Sequence, residues 1–297
     1  MIEAIIIQGP TASGKTELAI EIAKKLNTEI VSFDSRQFYR EMNIGTAKPT
    51  LEQRESVRHH FIDNSSLSSP VNLAQYVEMA MPLVQEKINR FGVVVLCGGS
   101  NQFIDALTYG LDPVPVFPEI KKELEDLHRS KGLEHLQELL GELDPAIALK
   151  LDLKNARRVI RALEVLIGSG QSISSFQSSK NRALFRYLRF GIHTERLHLY
   201  DRINSRVDNM ISEGLEEEVR SLKPFWESEA FRTVGYQEWI PYFNEKIART
   251  EAIDKIKQNT RNYAKRQITW LKKYHDLRWI VEENTNERFR FVMREIA

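Results

Sequence analysis

A single cysteine, Cys97, occurs in this chain of 297 residues. One thiol closes no internal disulfide and cannot supply a multi-cysteine zinc centre. Long apolar runs are lacking as well, and none approaches the roughly 20 residues that cross a bilayer. No low-complexity tail and no internal repeat is present. A strand-like run begins by Ala4, leaving no room for a cleaved leader. These absences point to a cytoplasmic protein with no membrane partner, expected to act as a monomer. Net charge is only +1, which argues against a uniformly basic nucleic-acid binder.

The charge that is there is segregated. Between Lys150 and Arg206, twelve basic residues stand against four acidic ones. Over that length a polyanionic partner explains the bias better than a solvated face does. Nearer the start, Gly9-Pro10-Thr11-Ala12-Ser13-Gly14-Lys15-Thr16 fits the phosphate-loop pattern G-x-x-x-x-G-K-[ST]. A β-branched run, Ala4-Ile5-Ile6-Ile7, precedes it, and Leu18, Ala19, Ile22, Ala23 and Leu26 follow at helical spacing. The glycines let successive N–H groups turn inward toward an anion, Lys15 adds a point charge, and Thr16 offers a hydroxyl to Mg²⁺. Gly9, Thr11, Ala12, Ser13, Gly14, Lys15 and Thr16 are therefore candidate diphosphate contacts.

Strand-like segments at 4–8, 29–33 and 93–97 alternate with helical ones, including 72–90, which contains Pro82. That alternation predicts an α/β fold: a P-loop NTPase-like parallel sheet with ligands at the strands' carboxyl ends. Pro113, Pro115 and Pro118 mark a boundary, after which helix predominates over 119–130, 133–140, 144–149 and 155–167. A Gly/Ser-rich stretch, 168–179, predicts a mobile loop. A returning strand is expected at 189–192, then helices over 197–213, 215–222, 236–244 and 246–274. The expected division is a core over 1–112, a mainly helical insertion over 113–188 that grips its partner, and a return to the core over 189–297.

Asp34 lies just past the second strand, in Asp34-Ser35-Arg36-Gln37-Phe38-Tyr39. A carboxylate beside a phosphate loop holds Mg²⁺ through water, acts as a general base, or caps a following helix. His59-His60 is a poor metal site, because adjacent side chains diverge on any regular element.

Eight segments in order resemble the tRNA dimethylallyltransferase (tRNA isopentenyltransferase) family. They are 9–16; Asp34-Ser35-Arg36-Gln37; Asn43-Ile44-Gly45-Thr46-Ala47-Lys48-Pro49; His59-His60-Phe61-Ile62-Asp63; Gly98-Gly99-Ser100; 155–164; Arg232-Thr233-Val234-Gly235-Tyr236-Gln237-Glu238; and Ala264-Lys265-Arg266-Gln267-Ile268-Thr269-Trp270. The resemblance implies transfer of a five-carbon group from dimethylallyl diphosphate to N6 of the adenosine 3′ of the anticodon, in tRNAs reading U-initial codons. It implies Mg²⁺ at Thr16, and Asp34, Lys15 and Ser100 as catalytic residues. The loop would then hold a leaving diphosphate in place of ATP, with Arg202 and Arg206, one helical turn apart, as a clamp or else as partners of Asp201, Asp208 or Glu213. The anticodon stem-loop would contact Asp34, Ser35, Arg36, Gln37 and Ser100. Lys121 and the run Arg157, Arg158, Val159, Ile160, Arg161 form a second contact, and Arg232, Thr233, Val234, Gly235, Tyr236 and Gln237 a third, with Tyr236 offering a ring for stacking. Three departures stand out. Ser100-Asn101-Gln102-Phe103 replaces the usual Thr-Gly-Leu-Tyr, so an altered prenyl channel is expected. Lys121 stands for an Arg, and Arg157 for a Gln. The rival readings are a P-loop nucleoside or nucleotide kinase, with Arg157 and Arg161 in a lid, a free-nucleotide isopentenyltransferase, and a tRNA-binding relative without catalysis.

Overall fold

The structure is a computed structural model and describes residues 2–176 and 182–297. Lys180 and the end of the expected mobile loop lie outside the described residues. One compact unit comprises Met1–Tyr109 and Ala183–Ala297, and a second comprises Gly110–Arg182.

The strands of the first unit are β1 (Ala4–Gln8), β2 (Ile30–Ser32), β3 (His59–His60), β4 (Val94–Gly98), β5 (Tyr187–Ile192) and β6 (Leu277–Ile280). They form one parallel sheet in the order β3-β2-β4-β1-β5-β6. The helices are α1 (Lys15–Lys25), α2 (Leu51–Ser56), α3 (Leu73–Phe91), α4 (Asn101–Tyr109), α5 (Pro118–Leu143) and α6 (Pro145–Ala148). After these come α7 (Ala156–Ser169), α8 (Arg196–Ser212), α9 (Leu215–Ser221), α10 (Trp239–Phe243), α11 (Arg249–Leu271) and α12 (Thr285–Ile296).

β1 lies inside the sheet and is buried along its whole length, which explains its unbroken apolar run. Ala4 and Ile6 project into the layer of α3 and α4, with Tyr76, Val84 and Ile104. Ile5 and Ile7 project the other way, among Leu18, Ile22 and Val292 of α1 and α12. The chain leaves β1 for β2 on one side and later reaches β5 on the other. The strand order thus reverses at the β1–β4 junction, and ligand crevices open at such switch points. Both the phosphate loop after β1 and Gly99-Ser100 after β4 sit there.

Two strands have no clear signature in the sequence. β3 is only two residues long and carries histidines, so no apolar run announces it; His60 Nε2 sits 2.7 Å from Glu29 Oε2. β6 pairs with β5 directly after the long basic helix, whose period masks it.

In the second unit α5 is broken at Gly132, where φ is 83°. Its core packs Leu124, Leu136 and Leu140 against Val159, Ile160 and Leu163 of α7. Val159 is fully buried and Ile160 nearly so. Their side chains are therefore core, and the expectation that they meet RNA is corrected.

Gly45 in the first unit shows how tightly the 43–49 loop is packed. A Cβ there would lie 2.4 Å from the Tyr236 ring and 2.9 Å from Leu215. Gly45→Ala should lower stability by about 1–3 kcal/mol, the usual cost of overpacking. Thermal unfolding of the full chain measures this, and an unchanged melting temperature would contradict the packing described.

Candidate active site at the carboxyl edge of the sheet

The phosphate loop turns through left-handed conformations at Ala12 (φ 63°) and Gly14 (φ 88°). No side chain caps the start of α1, so its first-turn N–H groups are open to an anion. Lys15 Nζ folds back over the loop and donates to the Pro10 carbonyl at 2.8 Å. Burial pulls its pKa down, while Cys97 and Asp34 oppose the shift. The Cys97 thiol itself is pushed up to about 12 by burial. Ser13 Oγ is buried with no hydrogen-bond partner among the described residues.

Two arginines of α8 reach this loop. Arg206 Nη1 lies 3.4 Å from Thr11 Oγ1. Arg202 Nη2 lies 3.4 Å from where a Cβ on Gly14 would stand. Asp208, one of their suggested partners, instead pairs with Lys257 at 2.6 Å. A third arginine joins them that the motifs do not include. Arg288 of α12 is 4% exposed and donates to the Ser13 carbonyl at 2.8 Å. Its signal in the sequence is a place four residues before Val292, on the apolar stripe of an amphipathic helix, where a charged residue needs a reason.

Asp34 follows β2 and closes a turn rather than capping a helix. Its Oδ1 accepts from the Arg36 N–H at 3.1 Å, and its carbonyl accepts from the Gln37 N–H at 3.2 Å. A Cβ on Gly99 would sit 3.7 Å from Asp34 Oδ2, so β4's end and this carboxylate are neighbours. Burial raises the Asp34 pKa, against the opposing effects of the Arg36 N–H and Lys15. Ser100 Oγ accepts from the Ser35 N–H at 3.1 Å and lies 3.1 Å from Ser35 Oγ. Tyr263 of α11 stands near both, its phenol pushed up by burial and by the Asp34 carboxylate. Gln267, one helical turn further, joins the two loops: its Nε2 donates to the Gly99 carbonyl at 2.9 Å, and its Oε1 accepts from the Thr11 N–H at 2.8 Å. The sequence pattern assigns no role to Tyr263 or Gln267, because only the return of α11 to the core brings them here.

Known proteins resemble the chain over nearly its whole length. The IPP transferase family model matches residues 37–274. A tRNA dimethylallyltransferase of Christiangramia forsetii is 41% identical over 98% of each chain, and tRNA dimethylallyltransferase 1 of Bacteroides thetaiotaomicron is 40% identical over 97% of this chain and 94% of its own. The chain belongs to the IPP transferase family. Among solved structures, the full-length tRNA isopentenylpyrophosphate transferase of Bacillus halodurans superposes with a TM-score of 0.75 at 34% identity, covering 100% of this chain and 96% of its own. A eukaryotic dimethylallyltransferase, described acting on tRNA, superposes at 0.82 with 25% identity, covering 100% and 78%.

In this IPP transferase the remaining candidates divide by exposure. Arg36 Nη1 donates to the Ala230 carbonyl, and Gln37 Nε2 to the carbonyls of Thr46 and Ala47. Arg232 and Gln237 are exposed, with Thr233 and Val234 half-buried. Tyr236 is not available for stacking. It is fully buried, and its hydroxyl donates to Glu218 at 2.6 Å. The same carboxylate accepts from the N–H groups of Asn43 and Ile44, so Tyr236 and Glu218 shape the 43–49 loop from inside. Gly235 has a φ of 96°, which is why glycine stands there, and its N–H donates to Glu238.

In the second unit Arg157 and Arg158 are exposed on α7, and Lys121 is exposed beside Glu125. Arg161 is a strut: it pairs with the buried Glu164 at 2.7 Å and donates to the Val114 carbonyl. As for the departures, Asn101 is buried and accepts from Gln8 Nε2 at 2.8 Å, while Gln102 is exposed. Asn101's amide is thus engaged inside the core.

Gln267→Leu should strand the Thr11 N–H and the Gly99 carbonyl, each costing about 1–3 kcal/mol if unsatisfied. We expect a lower melting temperature together with weaker binding of inorganic pyrophosphate. A variant stable but unchanged in pyrophosphate affinity would show that the bridge does not organise the loop.

Proposed function

We propose that this chain transfers a dimethylallyl group from dimethylallyl diphosphate to N6 of the adenosine 3′ of the anticodon, in tRNAs that read U-initial codons. It does so as a cytoplasmic enzyme acting as a monomer. The observation that carries the reading is the placing of a base beside an anion cradle: Asp34, next to Gly99 and in the field of Lys15, at the mouth of a loop ringed by Arg202, Arg206 and Arg288. Relatives at 40–41% identity are named tRNA dimethylallyltransferase, which supports dimethylallyl transfer to tRNA.

In the reaction the allylic C–O bond breaks, and its electron pair leaves with the diphosphate. Loop N–H groups, Lys15, Arg202 and Arg206 stabilise that growing charge. Adenine N6 is a poor nucleophile because its lone pair is delocalised. As N6 bonds to the prenyl carbon, Asp34 takes the proton that N6 sheds. Ser100, bonded to Ser35, steadies the turn that presents Asp34.

The loop's donors also fit Mg²⁺. Thr16 supplies a hard hydroxyl oxygen, and Ser13 a buried hydroxyl without a partner among the described residues. Those residues include no cluster of three His, Cys, Asp or Glu side chains able to hold a metal by themselves. Mg²⁺ would be held by Thr16 together with diphosphate oxygens, its usual mode, and when bound it neutralises charge on the leaving group.

The adenosine must leave its stack to expose N6, at a cost of a few kcal/mol. Phosphate contacts from the basic α7 offset that cost, and Arg157 and Arg158 are the exposed candidates. Arg161 supports them from its pair with Glu164. Among the described residues no helix is long and apolar enough to cross a membrane.

The test supplies labelled dimethylallyl diphosphate, ATP and an anticodon stem-loop together. We expect N6-dimethylallyladenosine in the digest and no phosphoryl transfer. Phosphorylated product without prenylation would replace this reading with a kinase.

Asp34→Asn should slow single-turnover transfer at least about a hundredfold, the low end for a lost general base, with tRNA binding unchanged. The pH profile carries a matching sign. Asp34 works ionised, and its raised pKa places the acid limb above the ordinary 3.8, so activity is lost as pH falls through that raised value. The Asn variant should lack this limb; an identical limb in both proteins would assign it to another group.

Arg157→Ala with Arg158→Ala should raise the KM for tRNA and flatten its salt dependence by roughly 0.7 to 0.9 for each phosphate no longer gripped. Unaltered affinity and slope would move the RNA grip to the segment around Arg232 and Gln237.

A further inference from the structure

We propose that Arg288 is a positioning residue for the diphosphate, which makes the C-terminal helix α12 a working part of the donor site. The inference rests on the transferase reading above. Arg288 makes two hydrogen bonds to backbone carbonyls. Nη1 donates to Ser13 at 2.8 Å, and Nε donates to Glu282 at 2.7 Å. The second bond, together with the packing of Phe289, Val292 and Ile296 on the α1 side of the sheet, fixes where the guanidinium stands.

The first bond acts on the loop. In a trans peptide the carbonyl and the next N–H point in opposite directions within one plane. Pinning the Ser13 carbonyl toward Arg288 therefore aims the Gly14 N–H the other way, into the loop. A charged donor on the carbonyl also polarises the peptide and strengthens that N–H as a donor. Gly14 is where this control matters most: its φ of 88° lies in the left-handed region, and a Cβ there would meet Arg288 Nη1 at 3.1 Å.

Charge balance supports the same role. Arg202, Arg206 and Arg288 converge on one loop with Lys15, and no carboxylate among the described residues is in ion-pair contact with any of the three arginines. Glu17 acts on Arg206 and Arg288 at longer range, as do Glu282 and Glu283 on Arg288. A nearly buried guanidinium without a carboxylate partner costs stability. Anchoring α12 accounts for the two hydrogen bonds to carbonyls, but the guanidinium's charge remains without a carboxylate in contact. A diphosphate in the loop supplies the compensating charge, and by linkage its binding must then tighten the docking of α12.

The experiment uses the full chain with Mg²⁺ and inorganic pyrophosphate as the probe. Arg288→Met should weaken pyrophosphate binding by roughly fivefold or more, within the usual range of coupling between sites. Arg288→Lys should recover part of the loss, because it restores charge without the fixed fork. In the wild-type chain, pyrophosphate should slow amide exchange across Thr285–Ile296, a readout that needs no variant to fold. Wild-type affinity in the Met variant, whatever its melting temperature, would overturn the inference and leave the transferase reading standing. So would exchange in α12 that ignores pyrophosphate. A wild-type chain that binds no pyrophosphate would overturn both.

Discussion

The Gln267 side chain is the interaction on which the site depends. It is nearly buried on α11, and its two amide atoms satisfy one donor and one acceptor from different loops. The Thr11 N–H belongs to the phosphate loop after β1, and the Gly99 carbonyl to the turn after β4. Parallel sheets bring such loops to one edge, but they do not fix the distance between them. A buried amide with both ends paired does, because pulling either loop away leaves polar groups unsatisfied. Gly99 is small for the same reason: a Cβ there would strike Gln267 Nε2 at 2.5 Å. Trp270 of the same helix carries the restraint further, donating to Asp105 of α4, which also accepts from Tyr274.

On that frame the site opposes two kinds of charge. Lys15 and three arginines gather at the loop, and one half-buried carboxylate, Asp34, stands within the field of Lys15. Burial penalises both: Lys15 is pulled down and Asp34 pushed up, each toward neutrality, while their mutual attraction works against the shift. A carboxylate in that condition holds a proton better than one in water, which suits the base that the proposed transfer requires. Under the proposed transfer, the cations gain most when negative charge builds on the diphosphate, which is the moment of bond breaking.

Much of this was legible in the sequence where local pattern and chemistry coincide. The phosphate loop lies between a β-branched run and a helical period, so β1, the loop and α1 read directly. Asp34 stands out because it ends a strand near that loop. Other residues are hidden by long-range packing. Tyr236 looks like a stacking platform beside a glycine, but Glu218, eighteen residues earlier, draws its hydroxyl inward. Val159 and Ile160 sit between arginines in a basic motif, yet the period of α7 turns them into the core. Arg161 reads as an RNA contact, yet it pairs with the buried Glu164 three residues on. Arg288 and Ser13 are 275 residues apart, and no local signal joins them. Strands and motifs are local features, whereas a side chain's direction depends on what the fold brings against it.

The central claim is that one crevice holds the diphosphate in the loop and adenine N6 at Asp34. The most direct measurement is a crystal structure of the chain with an anticodon stem-loop and a non-hydrolysable thiolodiphosphate analogue of the donor. Diphosphate oxygens should lie within hydrogen-bond distance of the loop N–H groups and Lys15, with N6 of the extruded adenosine at about 2.6–3.2 Å from the Asp34 carboxylate. A diphosphate bound away from Gly9–Thr16, or an adenosine whose N6 faces a residue other than Asp34, would contradict it.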